Sequence, residues 1–181
     1  MANLNSSKNH FHSFFVNPAI KFESQADDEE IVLMVRAHPI TQLFCLFNAL
    51  VVFIFLFFTN YFFAGYFSAS RVIFFNLLVI VIILNYLWFN FLAWYFNLGI
   101  ITNERVIDVD FSTVLYKETT SAYYNKIEDV TVKTGGFLAS MVDFGNIFVQ
   151  TAGTEANIEF MNIPEPGKVA ELINSSMEKS K

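Results

Sequence analysis

Charge is what the middle of this sequence lacks. Between Arg36 and Glu104 the one Lys, Arg, Asp or Glu is Arg71. That absence excludes a solvent-facing domain over this stretch. What stands there instead is FCLFNALVVFIFLFF, a short bend at Phe67-Ser68-Ala69-Ser70-Arg71, and VIFFNLLVIVIILNYLWF. A bilayer core is about 30 Å thick and takes roughly 20 apolar residues per helical span. Two such lengths fit, at about 40–61 and 72–95. Lipid supplies no hydrogen-bond partner, so each span must satisfy its own backbone as a helix. A buried hairpin inside a soluble core is the alternative, and the 39 residues before it and 85 after it are too few to cover so much apolar surface.

Other absences narrow the chemistry. The single cysteine, Cys45, lies in the first span, so no intrachain disulfide forms. Every histidine (His10, His12, His38) precedes the hairpin, which leaves the tail without an imidazole base for a Ser or Cys nucleophile. There is no Walker-type loop, GxGxxG or Cys/His metal spacing. His10 and His12 lack a third ligand, and Gly135-Gly136 reads as a turn. Asp108 and Asp110 share a strand face, and nothing beside them supplies the oxygens of a Ca²⁺ site or raises a pKa for acid catalysis. No catalytic, cofactor-binding or metal residue is therefore expected, and the chain is not read as an enzyme.

A surplus of basic residues is missing too. The formal charge is −6, and from Asn97 onward seven Lys and Arg stand against twelve Asp and Glu. This balance argues against nucleic acid, whose binding rests on neutralising phosphates, and against a polybasic grip on lipid headgroups. The start, MANLNSSKNHFHSFFVNPAI, lacks the charged, then apolar, then small-residue pattern of a secretory signal. The first span is expected to do the targeting.

The chain then divides into four parts: a flexible segment 1–21, a pre-membrane segment 22–39, the hairpin 40–96, and a tail domain 97–181. The acids Asp27-Asp28-Glu29-Glu30 predict a solvated turn or a helix start. The run Ile31–Val35 is short and largely β-branched, which favours a strand buried on both faces that docks on the tail, with a helix as the alternative. Tyr61 and Tyr66 at one interface, and Trp88, Trp94 and Tyr95 at the other, form aromatic belts that anchor a bilayer. Lys21, Arg36, Arg105 and Lys117 outnumber Arg71, which puts both termini in the cytoplasm of a cell-membrane protein with two spans.

Asn48, Asn76, Asn85 and Asn90 are the polar residues of note within the spans. At about 1.5 Å of rise per residue, Asn48 falls at the depth of Asn85 or Asn90, so interhelical contacts are expected among these three. The spans hold no deep ionisable residue, the usual mark of a proton or ion relay.

In the tail the period changes to two. Ile107, Val109 and Phe111 alternate with Asp108 and Asp110, a half-buried strand with its acids turned to solvent. Val130 and Val132, then Ile158 and Phe160, repeat the pattern, while Ser112–Thr120 and Phe144–Thr151 add strands. Thr102–Arg105 and Gly153-Thr154-Glu155 read as hairpin turns. Close-spaced strands predict an antiparallel sandwich or barrel. Pro164 and Pro166 open a final helix whose Val169, Leu172, Ile173 and Met177 share a stripe suited to capping it.

The order ITNERVID, KIEDV, GGFLASMVDFGNIFVQTAG, IEFMNIPEPGKVAELI, with FESQADDEEIVLMVRAHPI placed before two spans, resembles the bacterial pleckstrin-homology-like membrane proteins of the YdbS type, from about Phe22 to Met177. The resemblance implies a seven-stranded PH-like barrel capped by the C-terminal helix, on the cytoplasmic face of a bacterial membrane, with no enzymatic activity. Eukaryotic PH domains that hold phosphoinositides carry a basic cluster in the first hairpin loop. Here that loop is Asn103-Glu104-Arg105, so phosphoinositide binding is not expected.

The fold class expected is thus α+β, a two-helix transmembrane hairpin followed by a PH-like antiparallel barrel or sandwich with a capping helix. The function expected is a membrane-anchored interaction module that binds protein partners or self-associates. The alternative is an oligomeric channel or transport assembly lined by Asn48, Asn76 and Asn85.

Overall fold

The computed structural model describes residues 13–18, 22, 25–63, 65–113, 116–152 and 157–180. His10, His12 and the turn expected at Gly153-Thr154-Glu155 lie outside them. The chain divides into two compact units, one holding Ile40–Trp94 and the other the residues on both sides of it.

The first unit is a helical pair, α1 (Thr41–Phe63) and α2 (Ala69–Phe96, whose Tyr95 and Phe96 belong to the other unit). Both are long and apolar enough to cross a membrane, with mean hydropathies of 2.3 and 2.5. Their most apolar stretches are only 17% and 0% buried, and Phe55, Phe57, Ile73 and Phe74 all point outward. A core helix of a soluble protein would hide such side chains. The bend closes through bonds from the amides of Arg71 and Val72 to Ser68 O.

The second unit is built of two antiparallel sheets. One runs β1 (Phe14–Val16), β2 (Ile31–Arg36), β3 (Leu98–Thr102), β4 (Arg105–Thr113), β5 (Tyr116–Tyr123) in spatial order. The other runs β6 (Ile127–Lys133), β7 (Phe144–Thr151), β8 (Ile158–Pro164). Eight strands are described where the resemblance implied seven, and β1 and β2 come from before the hairpin. β2 pairs with β3 in the register Met34↔Ile100, so residues from the two sides of the hairpin share one sheet.

Two apolar clusters explain why β2 is buried on both faces. Leu33 and Val35 join Ile101, Val106, Ile147, Val149, Ile158 and Phe160 between the sheets. Ile31 and Met34 join Ile100 and Ile107 on the opposite face, with Phe15 and Phe22 packed on them. A Cβ on Gly99 would meet the Phe160 ring at 2.5–2.9 Å, so only glycine lets that ring lie against β3. Helix α4 (Pro166–Lys179) seats Val169 and Ile173 in the first cluster, packing on β6 and β7. A short helix, α3 (Phe137–Val142), interrupts the run from β6 to β7. Its six residues have too short a period for the sequence to separate it from the Gly135-Gly136 turn.

Candidate functional site

The turn between β3 and β4 is organised by Thr102, whose side chain is fully buried. Its hydroxyl accepts bonds from the amides of Glu104 and Arg105 at 3.2 and 3.0 Å and donates to Arg105 O at 3.0 Å. Tyr124 donates its hydroxyl to Thr102 O at 2.6 Å, and burial pushes its pKa up to about 12. The acidic run closes against this turn: Asn103 receives the amide of Glu30 at 2.9 Å and donates to Asp28 O at 3.1 Å.

Glu29 turns inward, contrary to the solvated run expected. Arg105 Nε donates to Glu29 Oε1 and Arg105 Nη2 to Glu29 Oε2, each at 2.9 Å, a bidentate ion pair. Desolvation pushes the Glu29 carboxyl up, but the bonds from the Arg105 side chain and the Ala26 amide outweigh it and hold the pKa below its usual value. The Glu29 bond raises Arg105 in return. The one base of the β3–β4 turn is thereby neutralised within the fold.

The acids of β4 are a second departure. Val106, Asp108 and Asp110 share the face that looks toward β8, because the strand covers its other face with Ile107 and Val109. Burial, then Asp110, with a smaller push from Glu159, lift the Asp108 carboxyl to about 7, against which the Glu159 and Val109 amides bond it. Asp110 is raised by burial and by Glu118 and Glu159. Half-burial, which alternation alone did not reveal, is what chiefly changes the Asp108 carboxyl. Among the described residues, no three His, Cys, Asp or Glu side chains are grouped to hold a metal ion.

Within the hairpin the interhelical amide contact forms between Asn60 and Asn76, not among Asn48, Asn85 and Asn90. Asn60 donates to Asn76 Oδ1 at 2.8 Å and Asn76 returns a bond to Asn60 Oδ1 at 3.0 Å. Asn48 and Asn85 are exposed, and Asn90 donates to Tyr86 O in its own helix. Matching depth is not enough for contact, since the residues must also face each other around the helix axis. A cavity of about 700 Å³ opens beside this pair, lined by Thr59, Asn60, Phe63, Phe67, Ser70 and Arg71 among others. Of the expected interface aromatics, Tyr61, Tyr66, Trp88 and Tyr95 are exposed, whereas Trp94 is buried and leans on Phe91. The Arg36 guanidinium lies 4.6 Å from the Tyr95 ring centroid, and burial lowers its pKa.

The described strands leave open sheet edges. β5 and β6 each end a sheet, and apart from Ile127 and Val130 the residues of β6 are exposed. An edge strand presents backbone N–H and C=O groups in the spacing that another strand pairs with.

The family model described as Bacterial PH domain matches residues 32–177. Among curated proteins, none matches this chain. A crystal structure of a DUF1696 family protein with a pleckstrin-homology domain, from Shewanella loihica PV-4, aligns with 16% identity over 46% of this chain and 68% of that one, with a TM-score of 0.34.

Proposed function

Since the chain belongs to the bacterial PH-domain family, we propose that it is a non-enzymatic, membrane-anchored interaction module at the cytoplasmic face of a bacterial cell membrane. The observation that carries this reading is the pair α1 and α2, which turn their apolar side chains outward and are joined at both ends to one folded β unit. The excess of Lys and Arg beside the outer ends of the spans supports placing that unit and both termini in the cytoplasm. Tethering raises the effective concentration of a partner in the same membrane, so a weak contact suffices. The edge of β6 is the surface that fits such a contact, by strand addition from another protein or a second copy. Neutralisation of Arg105 by Glu29 speaks against phosphoinositide as the ligand.

A photo-crosslinker at Thr131, exposed on β6, tests this in native membranes. A discrete protein adduct or a self-adduct is the expected result. Capture no greater than from a crosslinker at Glu178 would sink the β6 edge as the partner surface. The channel reading gains no support from the hairpin, where Asn76, one of its three lining residues, is engaged by Asn60.

A further inference from the structure

Helix α3 carries an apolar face that no described element of its unit covers. Phe137 is 81% exposed, Met141 73% and Leu138 46%. Phe137 and Met141 stand four residues apart and Leu138 and Met141 three, so all three project from one side of the helix. Ala139, at 4%, faces inward and fixes that orientation. Three large apolar side chains side by side in a six-residue helix form a contact surface, whereas scattered single exposures need no explanation.

Its place in the fold indicates what it meets. Phe144, the first residue of β7, follows α3 directly, and its ring stacks on His38 at 5.8 Å. The His38 amide donates to Asn162 O at 2.7 Å, and the next residue, Pro39, is where the chain leaves the β unit for α1. Met161, 49% exposed, adjoins Asn162 at the same end. Near α3 an ion pair offsets a lysine against an acid. The Glu165 amide bonds Asp143 O, Lys168 pairs with Glu165 at 2.7 Å, and Lys133 lies beside Gly145 through its backbone.

We propose that α3 is a third membrane contact, with Phe137, Leu138 and Met141 seated in the interfacial layer of the leaflet that the hairpin enters from the β unit. The inference rests on the membrane anchoring proposed above. The bilayer fits better than a second copy, because a stable protein interface buries roughly 800 Å² per partner and a six-residue helix offers far less. A tethered domain needs no such area, since the hairpin already supplies the proximity. Aromatic and aliphatic side chains at this depth are the usual composition of an interfacial anchor.

The test uses the full chain with Cys45→Ala and one new cysteine at a time: Met141→Cys, Glu178→Cys at the far end of α4, and Phe47→Cys on the outward face of α1. Each is labelled with an environment-sensitive fluorophore and reconstituted into phosphatidylcholine/phosphatidylglycerol vesicles, with or without nitroxide-bearing acyl chains. The expected result is at least twofold quenching at Met141 and Phe47 and little at Glu178. Quenching at Phe47 without quenching at Met141 overturns the inference and leaves the anchor standing. A blue-shifted but unquenched Met141 label also overturns it, because protein would then cover the face. Absence of quenching at Phe47 removes the anchor reading and the inference with it. Leu138→Cys repeats the measurement on the same face.

Discussion

Arg105 and Glu29, 76 residues apart in sequence, are joined by two parallel 2.9 Å hydrogen bonds, and the Glu29 side chain is wholly removed from solvent. This pair fastens the segment before the hairpin to the first turn after it. Its geometry carries information because removing one partner leaves the other buried without compensation.

Arg105→Ala is expected to cost about 3–5 kcal/mol of stability. Replacing both residues by apolar ones of similar size should cost less than either single change. Denaturant unfolding of the detergent-solubilised protein, followed by protease resistance of the β unit, distinguishes the two outcomes.

The pH dependence has two opposite contributions. The folded-state pKa of Glu29 is depressed, so its stabilisation is present above its unfolded value near 4.5 and is lost as pH falls through the folded value. Asp108 is raised from 3.8 to about 7, so the native state binds its proton more tightly and stability declines as pH rises between those values. Asp108→Asn should therefore flatten the decline and stabilise the protein above pH 7. The ceiling on that gain is about 4 kcal/mol, at about 1.4 kcal/mol per pKa unit, and partial exposure reduces it. Thermal unfolding of both proteins across pH 4–9 measures it, and an unchanged slope would contradict the assignment.

At Gly99 a methyl group has no room beside the Phe160 ring, itself 2% exposed. Gly99→Ala should destabilise the β unit by about 1–3 kcal/mol through overpacking. Pairing it with Phe160→Leu should recover part of the loss, read as the shift in unfolding midpoint.

The Asn60–Asn76 pair should contribute about 0.5–2 kcal/mol in an apolar medium. Asn76→Leu is expected to lose that amount, and Asn60→Leu/Asn76→Leu together to lose less, because no amide is then left without its partner. Helix loss on heating in micelles, followed by circular dichroism, reads the difference.

Much of the architecture was legible in the sequence because it rests on local period. The uncharged runs give α1 and α2, β-branched and alternating residues give β2, β4, β7 and β8, and the stripe Val169, Leu172, Ile173 and Met177 gives α4. Each is a repeat of 2 or 3.6 within a few residues of chain. Helix α3 escaped because six residues do not establish a period, and its apolar side chains look the same in sequence whether they point in or out.

The sequence by itself determined the helical hairpin, the strand-rich tail and the acidic balance, since hydropathy and charge need no partner to be read. Only the tertiary structure decided that Glu29 turns inward to Arg105, that Asp108 faces β8, that Asn60 rather than Asn48 crosses the hairpin, and that α3 shows Phe137 and Met141 to the outside. The physical reason is common to all four. Each depends on which residue from a distant part of the chain arrives alongside and on which face it presents, and sheet register and helix rotation set that only when the whole chain packs.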